Sequence, residues 1–199
     1  MYYGIYKNMR NCAWQCLWEF GIDRLPVDLL QITRNAGIRV VRNSTVNALL
    51  PYEKGKSFFD GSDWVIVYDD TLPTPLARFT IAHELGHIFL GHEMTAVKYA
   101  RYDEFERSEK AEEQANQFAY RLLCPACVLW GLNLHTTEEI AEVCHVERSV
   151  AERRAKRMKQ LYEKQRFLTL PLERQVFERF DPFIQDYFKN DAPHPENLE

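Results

Sequence analysis

The chain has 199 residues, of which 46% are hydrophobic and 27% are charged, and its formal net charge is -4. These proportions are typical of a globular protein, and the length is sufficient for one domain with a substantial core. The net charge excludes a general attraction to nucleic acid or acidic lipid, and no apolar run approaches the roughly 20 residues that a membrane helix requires.

The cysteines and the N-terminal sequence indicate a cytoplasmic location. An odd count of five cysteines argues against the disulfide framework of a secreted domain. The first residues, MYYGIYKNMRN, lack the long apolar segment of a secretory signal. We therefore expect a cytoplasmic protein with no membrane partner.

The N-terminal part of the chain is predicted to form two helices and then strands. The helices span residues 11–20 and 26–36, and Gly21 and Gly37 end them. The strand segments are rich in aromatic and β-branched residues. They read IRVVR (38–42), SFFDG (57–61) and WVIVYDD (64–70). The segment TLPTP then breaks the chain before the next helix.

Helical patterns dominate the remainder of the chain. After the helix that carries residues 79–92, further helices are predicted over residues 108–124, 137–144, 147–165 and 172–188. Pro125 stops the first of these. We therefore expect an α+β fold, with a small, mostly antiparallel sheet packed on the helix of residues 79–92. A helical C-terminal half with a helix-turn-helix-like hairpin follows.

The segment FTIAHELGHIFLGH, residues 79–92, contains the pattern H-E-x-x-H. Each residue turns a helix by about 100°, so His83 and His87 lie one turn apart and both imidazoles can bind one ion. Glu84 is offset enough to miss the ion and to deprotonate a water molecule beside it. Ionisable side chains on a mostly apolar helix are unfavourable unless they are paired or bound to metal. The pattern predicts one catalytic Zn²⁺ ion, rather than surface histidines beside an incidental glutamate.

A glycine within this helix indicates close packing. Gly86 follows the first histidine by three residues. A glycine in a helix interior is less favourable than alanine by about 1 kcal/mol. We therefore expect the backbone of another element to approach the helix at Gly86.

A catalytic zinc site needs a third protein ligand, and His92 is the nearest candidate in sequence. On a continued helix, His92 would point about 180° away from His83. Gly91 is expected to end the helix before that position. We therefore expect His92 to line the cleft or to lie on the surface.

The helix over residues 108–124 offers two adjacent carboxylates. Glu112 lies at the edge of its buried stripe, whereas Glu113 lies on its polar face. Glu112 is the preferred third ligand, and Glu113 is the competing one. Asn116 follows Glu112 by one turn, where it can hydrogen-bond a metal-bound histidine or Glu112.

Two segments, RFTIAHELGHIFLGH and EEQANQFAYRLLCP, together resemble the ImmA/IrrE family of bacterial metallopeptidases. The second has the family form E-x-x-A-N/D-x-F-A-x-x-L-L-x-P, with Cys124 where methionine is commoner. The resemblance covers about residues 25 to 160. It implies a gluzincin-like site in which His83, His87 and Glu112 bind zinc and Glu84 is the base. It also implies a protein substrate, because members of the family cleave repressors with helix-turn-helix domains.

The resemblance and the helix pattern together suggest three units. Residues 1–131 are expected to form a zincin-like metallopeptidase domain. Residues 132–166 are expected to form a helix-turn-helix-like subdomain packed on it. Residues 167–199 are expected to form a helical extension with a disordered tail.

Two further features are candidates for the cleft. A peptidase needs a group besides zinc to stabilise the oxyanion, and the irregular segment after Gly91 offers Tyr99, Arg101 and Tyr102. The strand WVIVYDD could pair with an extended substrate through a free edge. The alternative is an interior strand with both edges paired.

The cysteines allow a second site. Cys124 and Cys127 have C-x-x-C spacing and precede Cys144 and His145, so a structural zinc ion is conceivable. The first pair lies at a helix end in an apolar register, and the second pair is adjacent in sequence. Buried free cysteines are therefore the preferred interpretation.

The segment TTEEIAEVCHVERSVAERRAKRM resembles a helix-turn-helix. Arg148, Arg153 and Arg154 would then contact DNA phosphates or bases. The alternative, which we favour, is a helical hairpin that packs on the peptidase core or docks a substrate. Position 145 in the turn would normally be glycine, and acidic residues dilute the basic face.

The leading prediction is a cytoplasmic zinc endopeptidase that cleaves a helix-turn-helix repressor of a mobile element, prophage or stress regulon. One alternative is a DNA-binding regulator in which the metal is structural or sensory. Another is a protein that sequesters a repressor without cutting it.

Overall fold

The computed structural model describes residues 9–92 and 104–191, with side chains described for 9–92 and 109–189. Most of this chain is helical. The helices are α1 (Met9–Glu19), α2 (Leu29–Asn35), α3 (Asn43–Val46), α4 (Thr74–Leu90), α5 (Glu104–Leu123), α6 (Ala126–Gly131), α7 (Thr137–Cys144), α8 (Arg148–Glu163) and α9 (Pro171–Asp191). The short helices α3 and α6 were not expected from the sequence.

The sheet has three strands, β1 (Ile38–Arg42), β2 (Gly55–Phe59) and β3 (Trp64–Tyr68). Their order is β1-β3-β2, with β2 antiparallel to β3 and β1 parallel to β3. This mixed sheet packs against α4, so the expected α+β class is confirmed. The central position of β3 pairs both of its edges, so WVIVYDD has no free edge for a substrate and its interior alternative is correct. Strand β2 forms an outer edge of the described sheet instead.

Local capping fixes where several helices begin and end. The side chain of Asp28 accepts the backbone N–H of Gln31 at the start of α2. At the start of α7, Thr136 and Glu139 form a reciprocal capping box. Helix α4 ends at Gly91, which has a left-handed backbone (φ 74°), so the chain leaves the helix axis before His92. The expectation that Gly91 ends this helix is confirmed.

Helices α4 and α5 pack closely at Gly86. A β-carbon built at this glycine would lie 3.0 Å from the Cα of Ala115 and 3.1 Å from its carbonyl oxygen. The expected close approach of another backbone is therefore confirmed. Side chains on the facing surfaces of α4 and α5 are brought together as a result.

One hydrophobic cluster joins the elements from α1 to α9. It includes residues of the first helix such as Leu17, of α4 such as Leu85 and of α9 such as Phe180. Helix α1 packs on α5, and α9 packs on α1 and α6. All five cysteines are buried and free, which confirms their interpretation as core residues.

Helices α7 and α8 form a hairpin that packs into this cluster through Ile140, Val146 and Val150. His145 occupies the turn with a left-handed backbone (φ 51°), the conformation for which glycine is preferred. Arg154 is buried, so it cannot reach a DNA phosphate. This contradicts its assignment as a DNA contact in the helix-turn-helix interpretation. Arg148 forms ion pairs with Glu138 and Glu152.

Within the described residues, no helix is both long enough and apolar enough to cross a membrane.

Candidate metal centre

Two helices position three side chains that could hold a metal ion. His83 and His87 lie one turn apart on α4, and Glu112 faces them from α5. One potential ligand atom of each lies within 4.8 Å of the other two, the one such group found among the described residues. Both histidines are largely buried, whereas about half of the Glu112 side chain is exposed. The site therefore lies at the bottom of an open cleft.

The distances between these atoms are short and similar. His83 Nε2 lies 3.1 Å from Glu112 Oε2, and His87 Nε2 lies 3.2 Å from Glu112 Oε1. The two Nε2 atoms are 3.0 Å apart. Zinc bonds of 2.0–2.1 Å in a tetrahedral site imply roughly 3.3 Å between ligand atoms. The donor set therefore fits a zinc ion in both size and chemistry.

A hydrogen bond at the Nδ1 atom of each histidine ring determines which nitrogen of that ring carries the proton. His83 Nδ1 lies 3.0 Å from the amide oxygen of Asn116, which can only accept, so Nδ1 carries the proton. His92 Nε2 lies 3.0 Å from Gln114 Oε1 and donates to it. The lone pair at His92 Nδ1 then accepts from His87 Nδ1, 3.1 Å away. In the neutral rings, both Nε2 atoms therefore face the centre with lone pairs.

Two imidazole lone pairs and a carboxylate that converge in this way repel one another unless a cation or a proton lies between them. The pKa values of these side chains reflect this arrangement. Burial opposes the charged form of His83, but its contact with Glu112 and the charge of Glu84 outweigh burial and raise its pKa. The hydrogen bonds to His83 and His87 hold the pKa of Glu112 far below its usual range. The arrangement of His83, His87 and Glu112 therefore stabilises a positive charge between these side chains.

Glu84 is buried beside this cluster and is held by a residue from the sheet. The hydroxyl of Ser57 on β2 donates a hydrogen bond of 2.8 Å to Glu84 Oε2. Burial raises the pKa of Glu84, while the Ser57 hydrogen bond opposes the increase. A carboxylate with a raised pKa and a fixed orientation is suited to exchange protons during a reaction.

Glu113, the competing ligand, points elsewhere. Its Oε1 accepts a hydrogen bond of 2.8 Å from Gln117 on the exposed side of α5. Glu112 is the carboxylate that the structure brings to the two histidines.

Of the remaining expected site residues, Asn116 and His92 lie within the described part of the chain. Asn116 hydrogen-bonds His83, as described above. His92 lies behind His87, and the described lining of the cleft does not include it. Burial, followed by the charge of His87, lowers the pKa of His92 to about 4. Tyr99, Arg101 and Tyr102 lie outside the described residues.

The cleft above the cluster has a volume of about 570 Å³. Its walls come from the start of β2 and the turn before it, from α4 and α5, and from the start of α8. Lys56 and Ser57 line it on the sheet side, and Tyr120 lies on α5. Glu147 and Ser149 at the start of α8 close the opposite side. A volume of this size accommodates several residues of an extended peptide.

Sequence reasoning missed Ser57, Gln114 and the contribution of α8 to the cleft. Ser57 precedes Glu84 by 27 residues and lies in no recognisable motif. The alternation of β2 could have indicated that Ser57 faces inward, because the strand pattern places every second residue on the helix side. No sequence pattern indicated a role for Gln114, because its partner His92 comes close to it only after the chain turns at Gly91.

Comparison with known proteins identifies related sequences and a related fold. The sequence pattern of the IrrE N-terminal-like domain, a peptidase family, matches residues 33–156. No curated protein shows significant similarity to the chain. A Mycobacterium tuberculosis transcriptional regulator of known structure superposes with a TM-score of 0.54 at 18% identity. The match covers 72% of this chain and 44% of that regulator, so the chain spans less than half of the regulator's length. At this identity the similarity shows a shared fold alone.

Proposed function

The chain belongs to the IrrE N-terminal-like domain family of peptidases, and from this premise we propose that it is a cytoplasmic zinc-dependent endopeptidase. The observation that carries the proposal is the convergence of His83 Nε2, His87 Nε2 and the Glu112 carboxylate beside the buried Glu84. Three ligands with a carboxylate next to them match the requirement of a hydrolytic zinc site that keeps one position open.

The three ligands would hold zinc, which supplies a Lewis acid that polarises water and the scissile carbonyl. Glu84 accepts a proton from the attacking water at one carboxylate oxygen, while Ser57 holds the other by its hydrogen bond. Glu84 then passes that proton to the leaving amine, so the peptide bond is replaced by a carboxylate and an amine. Asn116 and His92 hold the two imidazoles with Nε2 directed at the centre.

The edge of β2 offers a place for the substrate backbone. It is an outer strand of the described sheet, and its first residues line the cleft beside Glu84. An extended peptide can add to such an edge through main-chain hydrogen bonds, which bind it with little dependence on its sequence. Side chains in the cleft, including Lys56 and Glu147, would then select the sequence that is cut.

The proposed substrate is a helix-turn-helix repressor of a mobile element, prophage or stress regulon. One observation supports this choice. The motifs of residues 78–92 and 112–125 resemble those of a family that cleaves such repressors.

The test is to incubate the zinc-loaded protein with the repressor encoded beside its gene and to identify fragments by mass spectrometry. We expect one main cleavage, which Glu84→Gln abolishes while zinc remains bound. The matched control is Glu113→Gln, which removes a neighbouring carboxylate charge outside the site and should cut normally. Cleavage by Glu84→Gln would contradict the mechanism. Complex formation without fragments by the native protein would instead indicate sequestration.

A further inference from the structure

A second cavity, separate from the candidate metal centre, is rich in arginines. It has a volume of about 510 Å³ and lies between α1, α5, α8 and the segment that leads into α9. Five arginines contribute to it: Arg10, Arg121, Arg154, Arg157 and Arg166. Glu173 is the acidic residue among the described lining residues. The cavity therefore concentrates positive charge in a chain whose net charge is negative.

Arg154 lies at the back of the cavity and is 7% exposed. Its Nε has no hydrogen-bond partner, and within the described part of the chain its guanidinium forms no ion pair. Burial lowers the pKa of Arg154, which reflects the unfavourable environment for its charge. A buried charge without a partner is strongly unfavourable, and an anion bound in the cavity would supply that partner.

Arg121 projects from α5 close to Arg154. Burial, together with the charges of Arg154, Arg157 and Arg10, lowers the pKa of Arg121 to about 10. The side chain is still protonated at neutral pH and donates to the backbone and side-chain oxygens of Gln117. The arginines thus repel one another, and an anion in the cavity would remove that repulsion.

Glu173, the carboxylate in the described lining of the cavity, makes a local backbone contact. Glu173 Oε2 accepts the backbone N–H of Thr169 at 2.9 Å, a contact at the start of α9. Among the described residues, Glu173 forms no ion pair with an arginine. The cationic groups at the rim, Arg157 and Arg166, are exposed and can turn toward an incoming anion.

The shape and chemistry of the walls indicate the kind of anion. Guanidinium groups bind phosphate oxygens in a bidentate manner, and several such groups together favour a doubly charged anion. The volume exceeds that needed for inorganic phosphate and falls within the range of small-molecule sites. Trp14, Leu161 and Leu170 add an apolar wall, and the indole N–H of Trp14 is buried without a hydrogen-bond partner.

We propose that this cavity is a binding site for a small organic phosphate, with the phosphate on Arg121, Arg154 and Arg157 and the organic part against Trp14. The site is independent of the proposed peptidase activity. It does not suit a nucleic-acid backbone, because Arg154 is recessed in the interior and a duplex phosphate cannot enter to reach it.

The test is calorimetric titration of the full-length protein with phenyl phosphate, which carries a phosphate on an apolar ring and is a weak zinc chelator. Inorganic phosphate and benzoate serve as comparisons at equal ionic strength. We expect phenyl phosphate to bind about tenfold or more tightly than either, because only it engages both the arginines and the apolar wall. Equal affinity for benzoate, or binding of a 20-base-pair duplex without binding of phenyl phosphate, would overturn the proposal.

Variants locate the site. Arg121→Gln and Arg157→Gln should each weaken phenyl phosphate binding about tenfold or more. The matched control is Lys159→Gln, which removes one exposed charge on α8 outside the cavity and should leave the affinity unchanged. An equal loss in Lys159→Gln would show that general charge, rather than this cavity, attracts the ligand.

Arg154→Met separates binding from structure. We expect this variant to lose phenyl phosphate binding while its melting temperature without ligand stays equal or rises, since an unpaired buried charge is removed. A purely structural arginine would give the opposite pattern, a lower melting temperature with binding intact. That outcome would overturn the assignment of Arg154.

Discussion

The absence of a side chain at Gly86 allows the backbone of Ala115 to lie against α4. A β-carbon at Gly86 would meet the Cα and carbonyl oxygen of Ala115 at 3.0 and 3.1 Å, and the ring of Phe118 at 3.1 Å. Gly86 lies between His83 and His87, and Ala115 follows Glu112 by one turn. The helix spacing at this contact therefore sets the distance between the histidines and Glu112.

The first prediction concerns this contact. Gly86→Ala should destabilise the protein by about 1 kcal/mol, because overpacking against a backbone outweighs the gain in helix propensity. It should also weaken zinc binding, since α5 must move away and carry Glu112 with it. Thermal unfolding and a competition titration with a zinc chelator measure the two effects.

The control for this prediction is Gly131→Ala in α6. A β-carbon there would lie 2.6 Å from the ring of Phe177 and 2.8 Å from Ile184, so this variant should also be destabilised. The two helices at this contact, α6 and α9, contribute no residue to the cluster or to the described lining of its cleft, so zinc affinity should not change. Equal loss of zinc affinity in both variants would mean that the effect is global and not due to helix spacing.

The second prediction distinguishes the two adjacent carboxylates. Glu112→Ala should reduce zinc affinity by more than about 100-fold, beyond the usual effect of losing an outer partner, because a charged ligand is lost. Glu113→Ala should leave the affinity unchanged, since Glu113 bonds to Gln117. Chelator competition on the two purified variants gives the comparison, and a larger loss in Glu113→Ala would reverse the assignment.

The third prediction concerns the groups behind the histidines. Asn116→Ala removes the acceptor for His83 Nδ1, and zinc affinity should decrease about 10- to 100-fold. Asn116→Asp keeps an acceptor oxygen and should retain most of the affinity. The decrease should be visible by chelator competition without any activity assay. If both variants bind zinc equally weakly, the hydrogen bond is not the cause.

A fourth prediction concerns Ser57. Ser57→Ala should lower the turnover number for repressor cleavage about tenfold, because Glu84 loses the hydrogen bond that orients its carboxylate. Ser57→Thr keeps the hydroxyl and suits a strand, so it should retain activity. Zinc affinity should be equal in both variants, because Ser57 does not touch the ligand atoms. Reduced zinc binding in Ser57→Ala would indicate a structural role instead.

Local patterns predicted much of the site. The spacing of His83 and His87 predicts their shared face, because helical geometry repeats every 3.6 residues. The register of α5 distinguishes Glu112 from Glu113 for the same reason. Gly91 correctly marked the end of α4, since a glycine with a left-handed backbone is a local stop signal.

The sequence by itself thus determined the α+β class, most helix positions and the set of residues that could bind metal, because each depends on periodicity or caps within one segment. Only the tertiary structure decided the strand order, which pairs both edges of β3 and leaves β2 at an edge of the described sheet, and the partner of Glu84. It also placed His92 behind His87 and gathered five arginines from separate segments around one cavity. These relationships arise between distant parts of the chain, where packing of the shared core, rather than any local pattern, fixes which side chains meet.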